Sequence, residues 1–238
     1  MIKHHPTAEI LKDFATGELP DSLSLIVSSH VEMCEQCQAE VMRLTDLAAS
    51  DSFGSDEVIA DELIENQVNA VLHGNDDINS ADFDMSLIDS ITADEQLDVV
   101  VASEERSPQR IKVADTEFEL PRALNQVVRK DWLNLGKISR ARLDFEDGDH
   151  HTSLLHIDKE GAVPCHTHKG FEITLLLEGS FEDEMGEYHK GDFIWLDGEH
   201  THQPFTKEGC VCLTVSSDAL YFTKGVSQLF NPIGKFIY

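Results

Sequence analysis

Gly161-Ala162-Val163-Pro164-Cys165-His166-Thr167-His168-Lys169-Gly170-Phe171-Glu172 is the stretch that decides the fold. Its spacing, Gly-x4-His-x-His-x3-Glu, continues through x6 to Gly179. Side chains alternate along a strand, so His166 and His168 share one face, and Glu172 sits at a further even offset beyond the turn-prone Lys169-Gly170. Two imidazoles and a carboxylate on one face read as a metal site wanting a fourth donor from a later strand. Gly191-Asp192 opens such a strand, and His202 stands eleven residues after Gly191, with His200 as the nearest competitor.

The surroundings of this stretch are strand-like. Candidate strands are Ile111–Val113, Lys137–Leu143, Thr152–Ile157, Phe171–Leu177, Asp192–Leu196 and Val211–Ser216. Turns are expected at Glu160-Gly161, Glu178-Gly179, Lys190-Gly191, Asp197-Gly198 and Glu208-Gly209. Short strands at this spacing predict an all-β sandwich or barrel over residues 108–238.

The N-terminus differs. Thr7 caps a helix over 8–16 that Gly17 closes, and Leu19-Pro20-Asp21-Ser22 starts a second. A third begins near Cys34–Cys37 and carries Val41, Leu44 and Leu47. Fifty residues of small helices make a thin core, so a staple is expected. His30-x3-Cys34-x2-Cys37 supplies it: three soft or borderline donors at the helix junction suit tetrahedral zinc, with His4 or His5 closing the site. A redox Cys34–Cys37 pair is the competing reading, but it belongs in a strand–helix context that is absent here.

Between the two lies an acidic stretch: residues 51–105 hold sixteen Asp or Glu and no Lys or Arg. Amphipathic pieces at 56–73 and 82–91 could dock on a partner's apolar groove, or the whole could be a solvated linker. The division expected is a helical domain over 1–75, an acidic linker over 76–107 and the strand-rich domain over 108–238. The net charge of −27 disfavours direct nucleic-acid or anionic-membrane binding and suits a basic partner. No apolar run reaches membrane-spanning length and no signal peptide precedes residue 7, so a cytoplasmic protein is expected. Five cysteines, an odd number, argue against a disulfide framework.

The strand-rich half resembles the cupin family, whose double-stranded β-helix barrel carries these two motifs. That resemblance implies His166, His168, Glu172 and His202 as metal ligands. The chain departs from the family in having four residues between Gly161 and His166, and in having Asp197 and Glu199 where Pro and Gly are usual. The helical half resembles the zinc-binding anti-sigma domain, and the two together resemble the ChrR-type anti-sigma factors. The Cys210-Val211-Cys212 pair and the Leu229–Pro232 tail add to this. The resemblance implies His5 as the fourth ligand beside His30, Cys34 and Cys37, and two zinc ions per chain. It implies no catalysis. It further implies a group IV (extracytoplasmic-function) sigma factor as partner, held by the helical domain and released when the cupin senses an oxidative signal such as singlet oxygen or an organic hydroperoxide. The alternative is a metal-dependent cupin dioxygenase or isomerase with an accessory helical domain. Cys210 and Cys212 share one side of the last strand, either as core residues or as groups responsive to oxidants.

Overall fold

The computed structural model describes residues 1–53, 109–145, 147–148, 150–218 and 221–223. Three helices come first: α1 (Ala8–Thr16), α2 (Asp21–Met33) and α3 (Glu35–Phe53). Thr7 caps α1 by accepting the Ile10 N–H at 3.3 Å, and Gly17, left-handed at φ 74°, closes it as expected. Pro20 precedes α2 without a side-chain cap. Asp147, from the strand-rich region, takes that place: its carboxylate accepts the Ser22 N–H at 2.8 Å and also the Ser22 hydroxyl. The pieces expected at 56–73 and 82–91, the boundaries at 75 and 107, and the Leu229–Pro232 tail lie outside the described residues. Among the described residues, no helix is long and apolar enough to cross a membrane.

The strands are antiparallel throughout. A hairpin of β1 (Arg110–Val113) and β2 (Thr116–Glu119) leads to β3 (Leu133–Leu135), β4 (Ile138–Leu143) and β5 (His151–Ile157). Then come β6 (Gly161–Ala162), β7 (His166–Thr167), the long β8 (Glu172–Asp183), β9 (Gly186–His189) and β10 (Phe193–Leu196). Last are β11 (Thr201–His202), β12 (Phe205–Thr206), β13 (Cys210–Ser216) and β14 (Tyr221–Phe222). The main sheet runs β3-β4-β5-β13-β8-β12-β6, with β9 and β10 also on β8, and a smaller sheet runs β11-β7-β14. This curled sheet is the barrel expected from the strand pattern.

The turn expected at Glu178-Gly179 is instead part of β8. Opposite β13, Val211 pairs with Glu178 but Cys212 pairs with Leu176, leaving Leu177 as an extra residue, a β-bulge. Gly179 at φ 78° has the left-handed conformation of a turn glycine, but it lies inside the strand, paired with Cys210. A Cβ there would meet the Gly209 carbonyl oxygen at 2.1 Å.

Residues Met1–Asp46, which hold α1, α2 and the first part of α3, form one compact unit with the barrel, with α2 against β13. One buried cluster runs from Leu11, Ile26 and Val27 through Cys34 and Cys37 to Phe193, Leu213 and Val215. The thin helical core is therefore continuous with the barrel's. Polar contacts line the seam. The buried Asp192 carboxylate accepts the Lys3 N–H (2.7 Å) and His4 N–H (3.1 Å), and Phe193 N–H donates to the His4 carbonyl (3.0 Å). Glu32 meets Arg122 through the backbone N–H (2.8 Å) and guanidinium (3.2 Å). Gly191 passes so close to the N-terminal segment that a Cβ would stand 2.5 Å from Ile2. Ile26 is fully buried in this shared cluster. Ile26→Ala is expected to destabilise the chain by about 2–5 kcal/mol. In urea, helix and barrel signals should shift together to a lower midpoint; a separate helical transition, with the barrel's midpoint unmoved, would refute the shared core.

Candidate metal centres

Two groups of four donors converge among the described residues, and they are the eight named from the motifs. In each group the candidate ligand atoms lie within 4.8 Å of one another.

The N-terminal group forms where α2 gives way to α3. His30 is fully buried in the last turn of α2. Cys34 ends that helix with extended backbone (φ −122°, ψ 102°), and Cys37 follows in the first turn of α3. The break at Cys34 swings its thiol alongside that of Cys37. His5, in the segment before α1, places Nδ1 3.4 Å from both sulfurs, and His30 Nε2 lies 3.3 Å from Cys37 Sγ. Donors tetrahedrally arranged at 2.0–2.3 Å around one zinc ion would stand about 3.5 Å apart, so the spacing fits. His4, the other N-terminal candidate, turns away and packs its ring on Tyr188.

His30 Nδ1 sits 2.9 Å from the Gly191 carbonyl. A carbonyl only accepts, so Nδ1 carries the proton and Nε2 presents a bare lone pair to the thiols. Burial pushes the His30 pKa down to about 4, against the pull of that carbonyl. Burial and the neighbouring Cys34 push the Cys37 thiol up to about 12, so without metal this thiol is protonated at neutral pH and a bound cation must displace its proton.

The barrel group is built on β7, β8 and β11. His202 pairs directly with His166 across β11 and β7, while Glu172 opens β8 opposite Leu196 of β10 and Ser216 of β13. All four side chains are largely buried. His166 Nδ1–H donates to the Pro164 carbonyl at 2.8 Å, and His202 Nδ1–H donates to the Asp183 carboxylate at 3.1 Å. Both acceptors lack protons to give, so in the neutral form of each ring the Nε2 atom is bare. Yet these Nε2 atoms face each other at 2.9 Å. Two lone pairs at that distance repel unless a cation lies between them. His168 Nε2 stands 2.6 Å from Glu172 Oε2, which finds no hydrogen-bond partner of proper geometry. The residues present therefore fit a metal ion held by three imidazoles and one carboxylate.

Burial lowers the His166 pKa to about 4. Burial alone would raise Glu172, but the imidazoles around it hold its carboxyl below the usual carboxylate range. His200, the competitor for the fourth position, instead engages Asp197 at 2.6 Å on the surface. His166, Glu172 and His202 line a cavity of about 30 Å³, room for one or two waters. Leu155, Val163, Phe181 and Cys212 are among its walls. Cys210 and burial together raise the Cys212 thiol well above its ordinary value.

Sequence reasoning missed the orienting groups. Asp183 and the carbonyls of Pro164 and Gly191 fix ring tautomers, and no spacing rule marks them. Only Gly191-Asp192 had been singled out, and then as a strand opening.

These shifts set an acid response for the metal-free chain. His30 and His166 have folded pKa values near 4, below the ordinary 6.5 of an unfolded histidine. The unfolded chain therefore gains protons first as pH falls, and stability drops from about pH 6.5 down to 4. Each imidazole contributes up to about 1.4 kcal/mol per pH unit. Urea midpoints of chelator-treated protein should fall between pH 7 and pH 5; a flat or rising midpoint would contradict the buried, neutral imidazoles.

Comparison with known proteins agrees with this architecture. Residues 122–219 match the ChrR cupin-like domain family. Over 240 residues the chain is 28% identical to the anti-sigma-E factor ChrR of Cereibacter sphaeroides, covering 97% of each. It also aligns with a chain of the crystal structure of Rhodobacter sphaeroides SigE in complex with the anti-sigma ChrR. That match has a TM-score of 0.57 and 26% identity, covering 91% of this chain and 99% of that one. An RmlC-like cupin protein from Ralstonia eutropha aligns with a TM-score of 0.37 and 14% identity, over 42% of this chain and 69% of its own. The chain is therefore similar to the anti-sigma factor ChrR along nearly its whole length, with the ChrR cupin-like domain match falling on the barrel at residues 122–219.

Proposed function

We propose that this chain is an anti-sigma factor that binds and inhibits a group IV sigma factor through its N-terminal helical module, with the barrel as a metal-dependent sensor. The observation that carries the reading is the match to ChrR over 97% of both chains, with both four-donor clusters intact in this one. The division of labour is residues 1–75 for sigma binding, 76–107 as an acidic linker and 108–238 for sensing. The chain works in the cytoplasm, where sigma factors meet polymerase.

Both clusters are assigned to zinc. The N-terminal set of two thiolates and two imidazoles is saturated by protein donors, which makes it structural. It would supply folding free energy that three short helices lack. α3 leaves Met42, Leu47 and Phe53 exposed, apolar side chains suited to a partner's surface. The barrel set would hold its zinc with three imidazoles and Glu172. The cavity beside it admits a species of one or two heavy atoms far better than an organic substrate, which favours sensing over turnover. An oxidant such as singlet oxygen, or the peroxide end of an organic hydroperoxide, would reach Glu172 and His202 there. Release of sigma follows only if the altered donor set favours a conformation that binds sigma less well.

Purified without chelator, the chain is expected to carry two zinc ions. Cys34→Ala or His30→Ala should lower sigma co-purification at least about tenfold; undiminished complex would remove the helical metal site from sigma binding. His166→Ala or Glu172→Ala should flatten induction of a sigma-dependent promoter under singlet oxygen. A normal response in those variants would take the barrel out of the sensing role.

A further inference from the structure

The N-terminal donor set has an asymmetry. His30, Cys34 and Cys37 sit on or between packed helices, whereas His5 lies in a segment that precedes α1 and belongs to no element. Such a segment has no ladder or helix to fix it, and terminal residues fray unless tied down. It is tied down, but by the barrel. Asp192, just ahead of β10 and 1% exposed, accepts the Lys3 N–H at 2.7 Å and the His4 N–H at 3.1 Å through Oδ1. Its other oxygen accepts the His189 N–H at 2.9 Å, which locks the carboxylate to the β9–β10 turn. The next residue, Phe193, returns a hydrogen bond to the His4 carbonyl at 3.0 Å. The two amides that Asp192 holds immediately precede His5.

We propose that Asp192 of the barrel is a positioning residue for the N-terminal metal site, holding the 3–5 segment so that His5 completes the set formed by His30, Cys34 and Cys37. The inference rests on the metal reading above. Gly191 belongs to the same device: its carbonyl orients His30, and its missing side chain makes room for Ile2. Two of the four donors therefore depend on one turn of the barrel. The strand that follows this turn reaches Leu196, which pairs with Glu172 of the barrel's own donor set. A barrel that pulls away from the helices leaves a three-donor site with a loose His5.

Cobalt(II) in the full-length chain tests this. Thiolate-to-cobalt charge-transfer absorption reports the N-terminal site alone, because the barrel set contains no sulfur. Asp192→Ala should weaken cobalt binding there by about 10–100-fold, the usual effect of losing a group that orients a ligand, and should shift the spectrum toward that of His5→Ala. Adding Asp192→Ala to His5→Ala should change nothing further, whereas general damage to the fold would weaken both backgrounds alike. Asp192→Asn, which keeps an oxygen for the Lys3 and His4 amides, should retain most of the parent's affinity. If Asp192→Ala does not fold, Lys3→Pro removes the shorter hydrogen bond from the helical side without touching the barrel, and should weaken cobalt binding in the same way. Parent-like affinity and spectrum in Asp192→Ala, or in Lys3→Pro where that stands in for it, overturn the inference, as does an equal loss in the His5→Ala background. A parent chain that shows no charge-transfer band at all would overturn the N-terminal metal reading along with it.

Discussion

Two imidazole nitrogens, each bare in the neutral tautomer selected by the acceptor on the far side of its ring, face each other at 2.9 Å inside the barrel. That arrangement is unfavourable without a positive charge, and the strands that create it are otherwise well paired. The N-terminal cluster obeys the same logic, with the Gly191 carbonyl fixing the proton of His30 on the side away from the thiols. The acceptors matter as much as the donors. A histidine free to move its proton could satisfy its neighbours by hydrogen bonding, and the pocket would have no need of a cation.

Packing explains why this chemistry can be supported by so little secondary structure. Three helices of 9, 13 and 19 residues make few contacts with one another, and α1 touches α2 only lightly. Their apolar residues join a cluster that continues into β13 and Phe193. Most of the hydrogen bonds across the seam are charge-assisted. Asp147 caps α2, Asp192 holds the N-terminal segment and Glu32 grips Arg122. Bonds of this kind are about twice as strong as neutral ones and directional, so they fix the docking angle as well as adding to it.

Much of this was legible in the residues. Period-two alternation placed His166 and His168 on one face, and the helix limits at Thr7, Gly17 and Pro20 follow from local chemistry alone. The core strands were found to within a residue or two at most ends. What remained hidden was everything decided at long range. Spacing could not choose between His4 and His5, because the choice depends on how Asp192 holds the preceding amides. Asp183, Asp192 and Asp147 were three acids among 45 Asp and Glu, and nothing local distinguishes a carboxylate that orients a ring from one that faces water. Gly179 was misread for a related reason: a glycine after an acid signals a reversal, and only the pairing of Gly179 with Cys210 of β13 shows that the strand continues through it.

The bulge has a consequence for the geometry of the barrel site. Glu172 and Asp183 stand at opposite ends of β8, eleven residues apart. In an unbroken strand an odd separation sends two side chains to opposite surfaces. Leu177, the supernumerary residue, corrects the parity, so that a strand with a donor at its head also presents, at its tail, the carboxylate that steers His202. Shortening β8 by that single residue would leave a barrel still able to close, with its steering group facing away from the ring it is meant to hold.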